Sequence, residues 1–152
     1  MGAVTYPDGQ VVKFVDDNFV PVQIEVSNTA LMQQFQVKWT PTIIVLDADA
    51  NEVHRVVGFL PPEEFIPTFM VAKGTWYFNA EQHSEAQGMF DAARRDYPDS
   101  DAAAEAVFFL GVSRYKMTHD PKPLREAYET LVAKFPASEW TKRAAPYRLL
   151  PG

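Results

Sequence analysis

Few side chains of this sequence combine a reactive chemical type with the spacing that chemistry needs. The chain contains no cysteine, which excludes disulfides, thiolate catalysis and cysteine metal ligands among the residues given. Its histidines, His54, His83 and His119, lie far apart and lack the spacing of metal ligands. His119 is followed by Asp120, but no nucleophile that this pair could activate lies near it in the sequence. We therefore expect no catalytic residue, no metal site and no cofactor.

Two acidic stretches, DADAN at residues 47–51 and DSDAAAE at residues 99–105, contain the oxygen ligands that calcium prefers. Neither has the number of ligands or the glycine of a calcium-binding loop. The first stretch is expected to form a turn between two strands. In the second, Asp99, Ser100 and Asp101 are residue types that cap a helix N-terminus, and we expect them to do so here.

The composition is that of a globular protein, with 152 residues of which 47% are hydrophobic and 22% are charged. The formal net charge of −6 argues against a nucleic-acid partner, since such binders concentrate Lys and Arg on one face. No apolar run approaches the roughly 20 residues that a membrane span needs. The first residues lack the features of a signal peptide, so we expect a cytoplasmic protein; a periplasmic protein trimmed of its leader would look the same.

The segment from Trp39 to Thr42 is the first candidate binding site, because Pro41 stands directly before the apolar run TIIVL at residues 42–46. In one interpretation, a cis peptide bond between Thr40 and Pro41 presents the backbone groups of Thr40 to an added strand of a partner peptide. In the other, Pro41 only shapes the beginning of a buried strand, and Trp39 packs on a neighbouring helix. The residues leave both interpretations open.

Residues 8–66 alternate between helical and strand periodicity, which predicts an α/β unit. The strands are identified by alternating or continuous apolar residues, and the helices by capping residues and prolines at their beginnings. In chain order the expected elements are a helix capped by Asp8, a strand at residues 20–26, a short helix capped by Ser27 or Asn28, the strand TIIVL, a turn, a returning strand at residues 52–58 and a helix beginning at Pro61 or Pro62.

From residue 67 onward the sequence has the pattern of helices and turns, and this pattern repeats. The segments DYPDSDAAAEA and KFPASEWTKRA share the frame aromatic-Pro-x-Ser, in which Pro98 and Pro136 are 38 residues apart. Such a period indicates an array of helical repeats. We expect helical hairpins over residues 67–100 and 101–137, closed by a capping helix over residues 138–149.

In the first repeat, two antiparallel helices must approach each other closely, and the small residues Gly74 and Ala86 allow this. The aromatic residues Tyr77 and Phe90 fill the space between the two helices. The inner face of the stacked helices is the second candidate site for a partner peptide. Aromatic residues at helical spacing also suit a hydrophobic core, so the same face has a purely structural interpretation. The candidates are Thr75, Phe78, Asn79, Phe108, Val112 and Tyr115.

The first half of the chain resembles the thioredoxin-like fold in the segments NFVPVQIEV, FQVKWTPTIIVLDADANEVHRVVG and PPEEF. The second half resembles tetratricopeptide repeats, and the whole chain looks like bacterial thioredoxin-like proteins that have such an extension. The resemblance implies a cis proline at Pro41, beside the redox site of the family, and a residue before it that binds substrate peptides. The two catalytic cysteines of the family have no counterpart here, and thiol–disulfide exchange requires a thiolate.

The expected fold class is therefore a truncated α/β thioredoxin-like domain with a short mixed sheet at residues 1–66, followed by an all-α module of tetratricopeptide-like hairpins at residues 67–152. The expected function is non-catalytic and consists of protein–protein interaction or assembly with a protein or peptide partner. The alternative is a thiol–disulfide oxidoreductase whose N-terminal CxxC segment is absent from this chain. The resemblance leaves the sheet without its central strand, so its unpaired edges favour either a homodimer or a chain that is one part of a longer gene product.

Overall fold

The computed structural model describes residues 1–152, which form two compact units, Met1–Phe65 and Ile66–Gly152. The first unit contains two short helices and a β-hairpin, and the second contains only helices. One helix, α3 at Pro62–Asn79, begins in the first unit and ends in the second. The elements follow the predicted order, except that the strand expected at residues 20–26 is absent.

The two helices of the first unit begin at the predicted capping residues. Helix α1 spans Gly9–Asn18, and the Asp8 carboxylate accepts hydrogen bonds from the N–H groups of Gln10 at 2.9 Å and Val11 at 3.1 Å. Helix α2 spans Thr29–Gln34 and is capped by Asn28, not by Ser27. Val11 is buried, whereas the neighbouring Val12 is 44% exposed.

The hairpin lies where the apolar run and the turn were predicted. Strand β1 at Thr42–Leu46 pairs antiparallel with strand β2 at Glu52–Val57, with Thr42 opposite Val57. The Asp47 carboxylate stabilises the turn between them by accepting hydrogen bonds from the N–H groups of Asp49 at 2.9 Å and Asn51 at 2.8 Å. An irregularity between Val45 and Leu46 shifts the register at that end.

The predicted strand at residues 20–26 does not form. Residues 20–25 have no regular secondary structure, and Val26 lies in a turn. The sheet has only two strands and is purely antiparallel, so the expected mixed sheet is also wrong. The physical reason is that a strand requires a neighbour to share its ladder hydrogen bonds, and no other strand of this chain lies beside residues 20–26.

The helical unit consists of hairpins followed by a broken final segment. Its core contains Val71, Ala86, Phe90, Ala106 and Leu110, together with a second cluster around Leu131. The helices after α3 are α4 at His83–Asp96, α5 at Asp101–Thr118, α6 at Lys122–Lys134 and α7 at Glu139–Arg143, followed by a 3₁₀ helix at Ala145–Leu149.

Two predictions at the helix ends need correction. Instead of one capping helix over residues 138–149, α7 stops before Pro146, whose missing N–H cannot continue an α-helical ladder. Ser100 occupies the N-cap position of α5, but its side chain does not cap the helix. The Ser100 hydroxyl instead donates to the Tyr97 carbonyl at 2.8 Å.

Glycines mark the closest approaches between neighbouring helices. A Cβ atom added to Gly74 would lie 2.7 Å from the ring of the buried Phe90. A Cβ atom added to Gly111 would lie 2.6 Å from the Ala127 Cβ and 2.9 Å from the Pro123 carbonyl oxygen. Only glycine fits at these two positions, which agrees with the role that the repeat pattern assigns to Gly74.

No helix of the protein is both long and apolar enough to cross a membrane.

Candidate functional site

A surface depression of the first unit lies between the end of helix α2, the loop before β1 and one face of the hairpin. It is an open groove of about 580 Å³, which we name the Trp39 groove. Thr42, Arg55 and Val57 share the hairpin face that forms its floor, because Thr42 pairs with Val57 and Arg55 lies two residues before Val57. Its lining residues are Gln34, Phe35, Gln36, Lys38, Trp39, Thr42, Glu52, Arg55 and Val57.

Arg55 joins the hairpin to the end of helix α2. Its guanidinium donates to both carboxylate oxygens of Glu52, at 2.9 and 2.6 Å, and to the Phe35 carbonyl at 2.7 Å. The hydrogen bond from Arg55 is the main cause that lowers the pKa of Glu52. The bidentate pair is therefore charged at neutral pH, and it holds the Phe35 backbone against the strand face.

The loop at one side of the groove is held by two hydrogen bonds that leave one residue free. The Trp39 carbonyl accepts from the Thr42 hydroxyl at 2.6 Å, and the Pro41 carbonyl accepts from the Gly58 N–H at 2.8 Å. The peptide bond between Thr40 and Pro41 is cis. The N–H and C=O of Thr40, between these anchors, make no hydrogen bond within the protein.

Trp39 extends into solvent beside these free backbone groups. Its side chain is 67% exposed, so it does not pack against a neighbouring helix as one interpretation of the sequence expected. Val57, at the end of the paired strand, is 57% exposed. An exposed tryptophan next to an exposed apolar residue and unpaired backbone groups is the combination that an extended peptide can bind.

The second set of predicted residues, in the helical unit, is not brought together in one open surface. The Phe78 ring lies 5.9 Å from Phe109, and the Phe108 ring lies 5.2 Å from Trp140 and 5.8 Å from Tyr147, measured between centroids. These two candidates belong to a continuous aromatic array. Thr75, Val112 and Tyr115 are half-buried, and Asn79 is exposed.

The sequence analysis did not identify Trp140 and Tyr147 as members of this array. Their signal was present in the segment SEWTKRAAPY, which was assigned only a capping role. A second groove of about 500 Å³ lies nearby, between the beginning of α5 and the loop that joins α6 to α7. Its charged lining residues are Asp99, Asp101, Lys134 and Glu139.

The histidines remain separate in the structure. His54 is half-buried on β2, and burial lowers its pKa. His83 is the first residue of α4, with its ring 5.1 Å from Phe78, and His119 ends α5 in a left-handed conformation. No group of three or more His, Asp or Glu side chains is placed to hold a metal ion.

Comparison with known proteins identifies the class of the first unit. Residues 4–72 match the family model of the thioredoxin-like domain. Together with the hairpin and the flanking helices, this match confirms the fold class, a truncated thioredoxin-like domain followed by a helical module. Searches of curated proteins and of solved structures found no match.

Proposed function

We propose that this protein is a non-catalytic thioredoxin-like protein that mediates protein–protein interaction or assembly by binding an extended peptide in the Trp39 groove. The observation that supports this proposal most directly is the combination of the exposed Trp39 with the unpaired backbone N–H and C=O of Thr40. One donor and one acceptor on the same residue are what a strand edge offers to an added strand.

The groove supplies affinity and orientation through different residues. The indole of Trp39 gives a rigid apolar surface for one side chain of the peptide, at a small cost in conformational entropy. Thr40 fixes the direction of the peptide backbone through its two hydrogen bonds. The Arg55–Glu52 pair already satisfies its own charges, so it keeps the groove in shape and does not require a charged ligand.

The experiment is a selection of peptides from a random phage-displayed library, followed by titration of the selected peptide against variants. Trp39→Ala is expected to weaken its binding about tenfold or more, the usual loss at an aromatic anchor. Trp76→Ala is the matched control, because Trp76 is a partly exposed tryptophan in the helical unit. The proposal fails if the selected peptide binds the Trp39→Ala variant as tightly as the unchanged protein.

A second candidate function is that of a thiol–disulfide oxidoreductase whose CxxC segment lies outside this chain. The match of residues 4–72 to the thioredoxin-like domain favours it. In that case the Trp39 groove would hold the substrate peptide, while the thiolate would come from residues that precede this sequence. An in-frame CxxC in the coding sequence, followed by insulin reduction by the longer product, would replace the first candidate with this one.

We further propose that the helical unit is a tetratricopeptide-like module that takes part in the same assembly. The equivalent close approaches at Gly74 and Gly111 support two repeats, over residues 67–100 and 101–137. The candidates on its inner face that lie outside the aromatic array are Thr75, Asn79, Val112 and Tyr115. Loss of partner binding in a Tyr115→Ala variant that keeps its helical content is the expected result, and unchanged binding would exclude this face.

A further inference from the structure

The charged side chains of the Trp39 groove do not balance one another. Its lining includes one carboxylate, Glu52, and two cations, Lys38 and Arg55. Both oxygens of the Glu52 carboxylate accept hydrogen bonds from Arg55, at 2.9 and 2.6 Å, so this pair is neutral as a whole. The Lys38 ammonium makes no hydrogen bond and no ion pair within the protein. The groove therefore has one uncompensated positive charge.

This free charge is unusual within the first unit. The other Lys and Arg side chains of the unit are Lys13 and Arg55. The Lys13 ammonium lies 2.7 Å from the Asp17 carboxylate, and Arg55 forms the pair described above. Lys38 is thus the only one of these side chains without a carboxylate partner, and it lies in the Trp39 groove.

The chain is anchored on both sides of Lys38. On one side, the Val37 N–H donates to the Met32 carbonyl at 2.8 Å, which closes the end of helix α2. On the other side, the Trp39 carbonyl accepts from the Thr42 hydroxyl at 2.6 Å. Because both neighbours in the chain are held, the Lys38 side chain begins at a fixed point of the groove. Its charge therefore stays within reach of a ligand bound there.

The uncharged polar groups of the groove also suit an anionic ligand. The side-chain amides of Gln34 and Gln36 line the groove and make no hydrogen bond within the protein, so their N–H groups are free to donate. The Phe35 carbonyl at the end of α2 would repel an anion, but it already accepts from Arg55 at 2.7 Å. The groove thus has free donors and no unpaired carboxylate.

We propose that the peptide bound in the Trp39 groove has an acidic residue, whose carboxylate pairs with Lys38 while a neighbouring apolar side chain contacts Trp39. This inference rests on the proposed peptide-binding function and adds the chemistry of the partner. A carboxylate is favoured because a charged acceptor makes the stronger hydrogen bond with an ammonium. A basic side chain at the same place would meet the Lys38 charge and would find the Glu52 carboxylate already paired.

The net charge of the protein limits how acidic the partner can be. At −6 the chain repels a strongly negative ligand at long range. At physiological salt this repulsion is screened over about 8 Å, whereas the pair with Lys38 forms at contact distance. A single carboxylate at one position is therefore favoured over a run of acidic residues. A nucleic acid, with a phosphate at every nucleotide, is disfavoured for the same reason.

The test begins with the peptides that the unchanged protein selects from the random phage-displayed library. We expect these peptides to share an Asp or Glu at a fixed number of residues from the apolar residue that Trp39 binds. The selected peptide is then compared with a version in which the acidic residue is replaced by its amide, Asn or Gln. The acidic peptide should bind about threefold more tightly than the amide version, the effect of one exposed ion pair.

Variants of the protein then show whether Lys38 causes this preference. The preference for the acidic peptide should disappear in Lys38→Gln and reverse in Lys38→Glu. Lys13→Gln is the matched control, because Lys13 is an exposed lysine of the same unit outside the groove, and it should keep the preference. Isothermal titration calorimetry of both peptides against each variant measures the ratio of dissociation constants directly.

The inference and the proposed function fail by different results. The role of Lys38 is refuted if the selected peptides have no acidic residue in common, or if Lys38→Gln retains the preference for the acidic peptide. Either result leaves peptide binding that depends on Trp39 intact. Binding that is unchanged in Trp39→Ala refutes the proposed function, whatever the charge of the selected peptide.

Discussion

Gly111 is the position at which the packing of the helical unit is most open to a quantitative test. Replacement by alanine adds a single methyl group in the middle of helix α5, at Asp101–Thr118. That methyl carbon would lie 2.6 Å from the Ala127 Cβ and 2.9 Å from the Pro123 carbonyl oxygen, both on or next to the main chain of α6. Neither neighbour can rotate away, so the two helices must move apart.

Two effects of opposite sign determine the stability of Gly111→Ala. Alanine favours the helix over glycine by about 0.5–1 kcal/mol, because it restricts the unfolded chain. Overpacking of a tight helix contact costs about 1–3 kcal/mol. The second effect is larger, so we expect the free energy of unfolding to fall by about 1–2 kcal/mol. For a protein of this size the melting temperature should fall by roughly 2–4 °C per kcal/mol.

The assay is urea unfolding followed by far-UV circular dichroism, with Gly88→Ala as the matched control. Gly88 lies in helix α4, and a Cβ atom added there would meet nothing within 4 Å. The control therefore receives the helix-propensity gain without the clash, and its stability should rise by up to about 1 kcal/mol. If Gly111→Ala is as stable as Gly88→Ala, the close approach of α5 and α6 is not what requires glycine.

Two further predictions concern polar groups within the helical unit. The pKa of Glu105 is raised, first by burial and then by the Glu139 carboxylate, while Arg143 lowers it. The folded protein therefore binds a proton on the Glu105 carboxyl more tightly than the unfolded chain does. For this reason the free energy of unfolding decreases as the pH rises above 4.5, the ordinary pKa of the group. Glu105→Gln should raise the free energy of unfolding by about 0.5 kcal/mol at neutral pH and lose this advantage in acid, which urea unfolding at two pH values will show. Ser113 is fully buried and its hydroxyl has no hydrogen-bond partner, so Ser113→Ala should raise the melting temperature, by the equivalent of about 1 kcal/mol. A lower melting temperature would contradict the absence of a partner for that hydroxyl.

The elements that the sequence predicts correctly are those that depend on interactions between residues close together in the chain. Asp8 begins a helix because its carboxylate reaches N–H groups only two and three residues away. Asp47 closes a turn by the same kind of short-range bond, and the apolar run TIIVL lies directly before that turn. Gly74 was identified by its position in the repeat pattern, because the spacing of a helical hairpin is itself periodic.

The candidate site was only partly predictable. The segment from Trp39 to Thr42 was identified from Pro41 and the strand after it, but whether Trp39 is packed or exposed depends on which elements lie nearby. Arg55 and Glu52 were not identified at all. Their role comes from the hydrogen bond between Arg55 and Phe35, residues that lie 20 positions apart in the chain.

The sequence by itself therefore determined the α/β unit, the hairpin and the helical character of the second half, since each depends on residue type or short-range spacing. The tertiary structure decided which apolar residues have neighbours. Residues 20–26 have the alternation of a strand, yet they stay unpaired because the strand that would complete their hydrogen bonds is not available within this chain. A strand is a property of two segments, and one sequence segment cannot specify its partner.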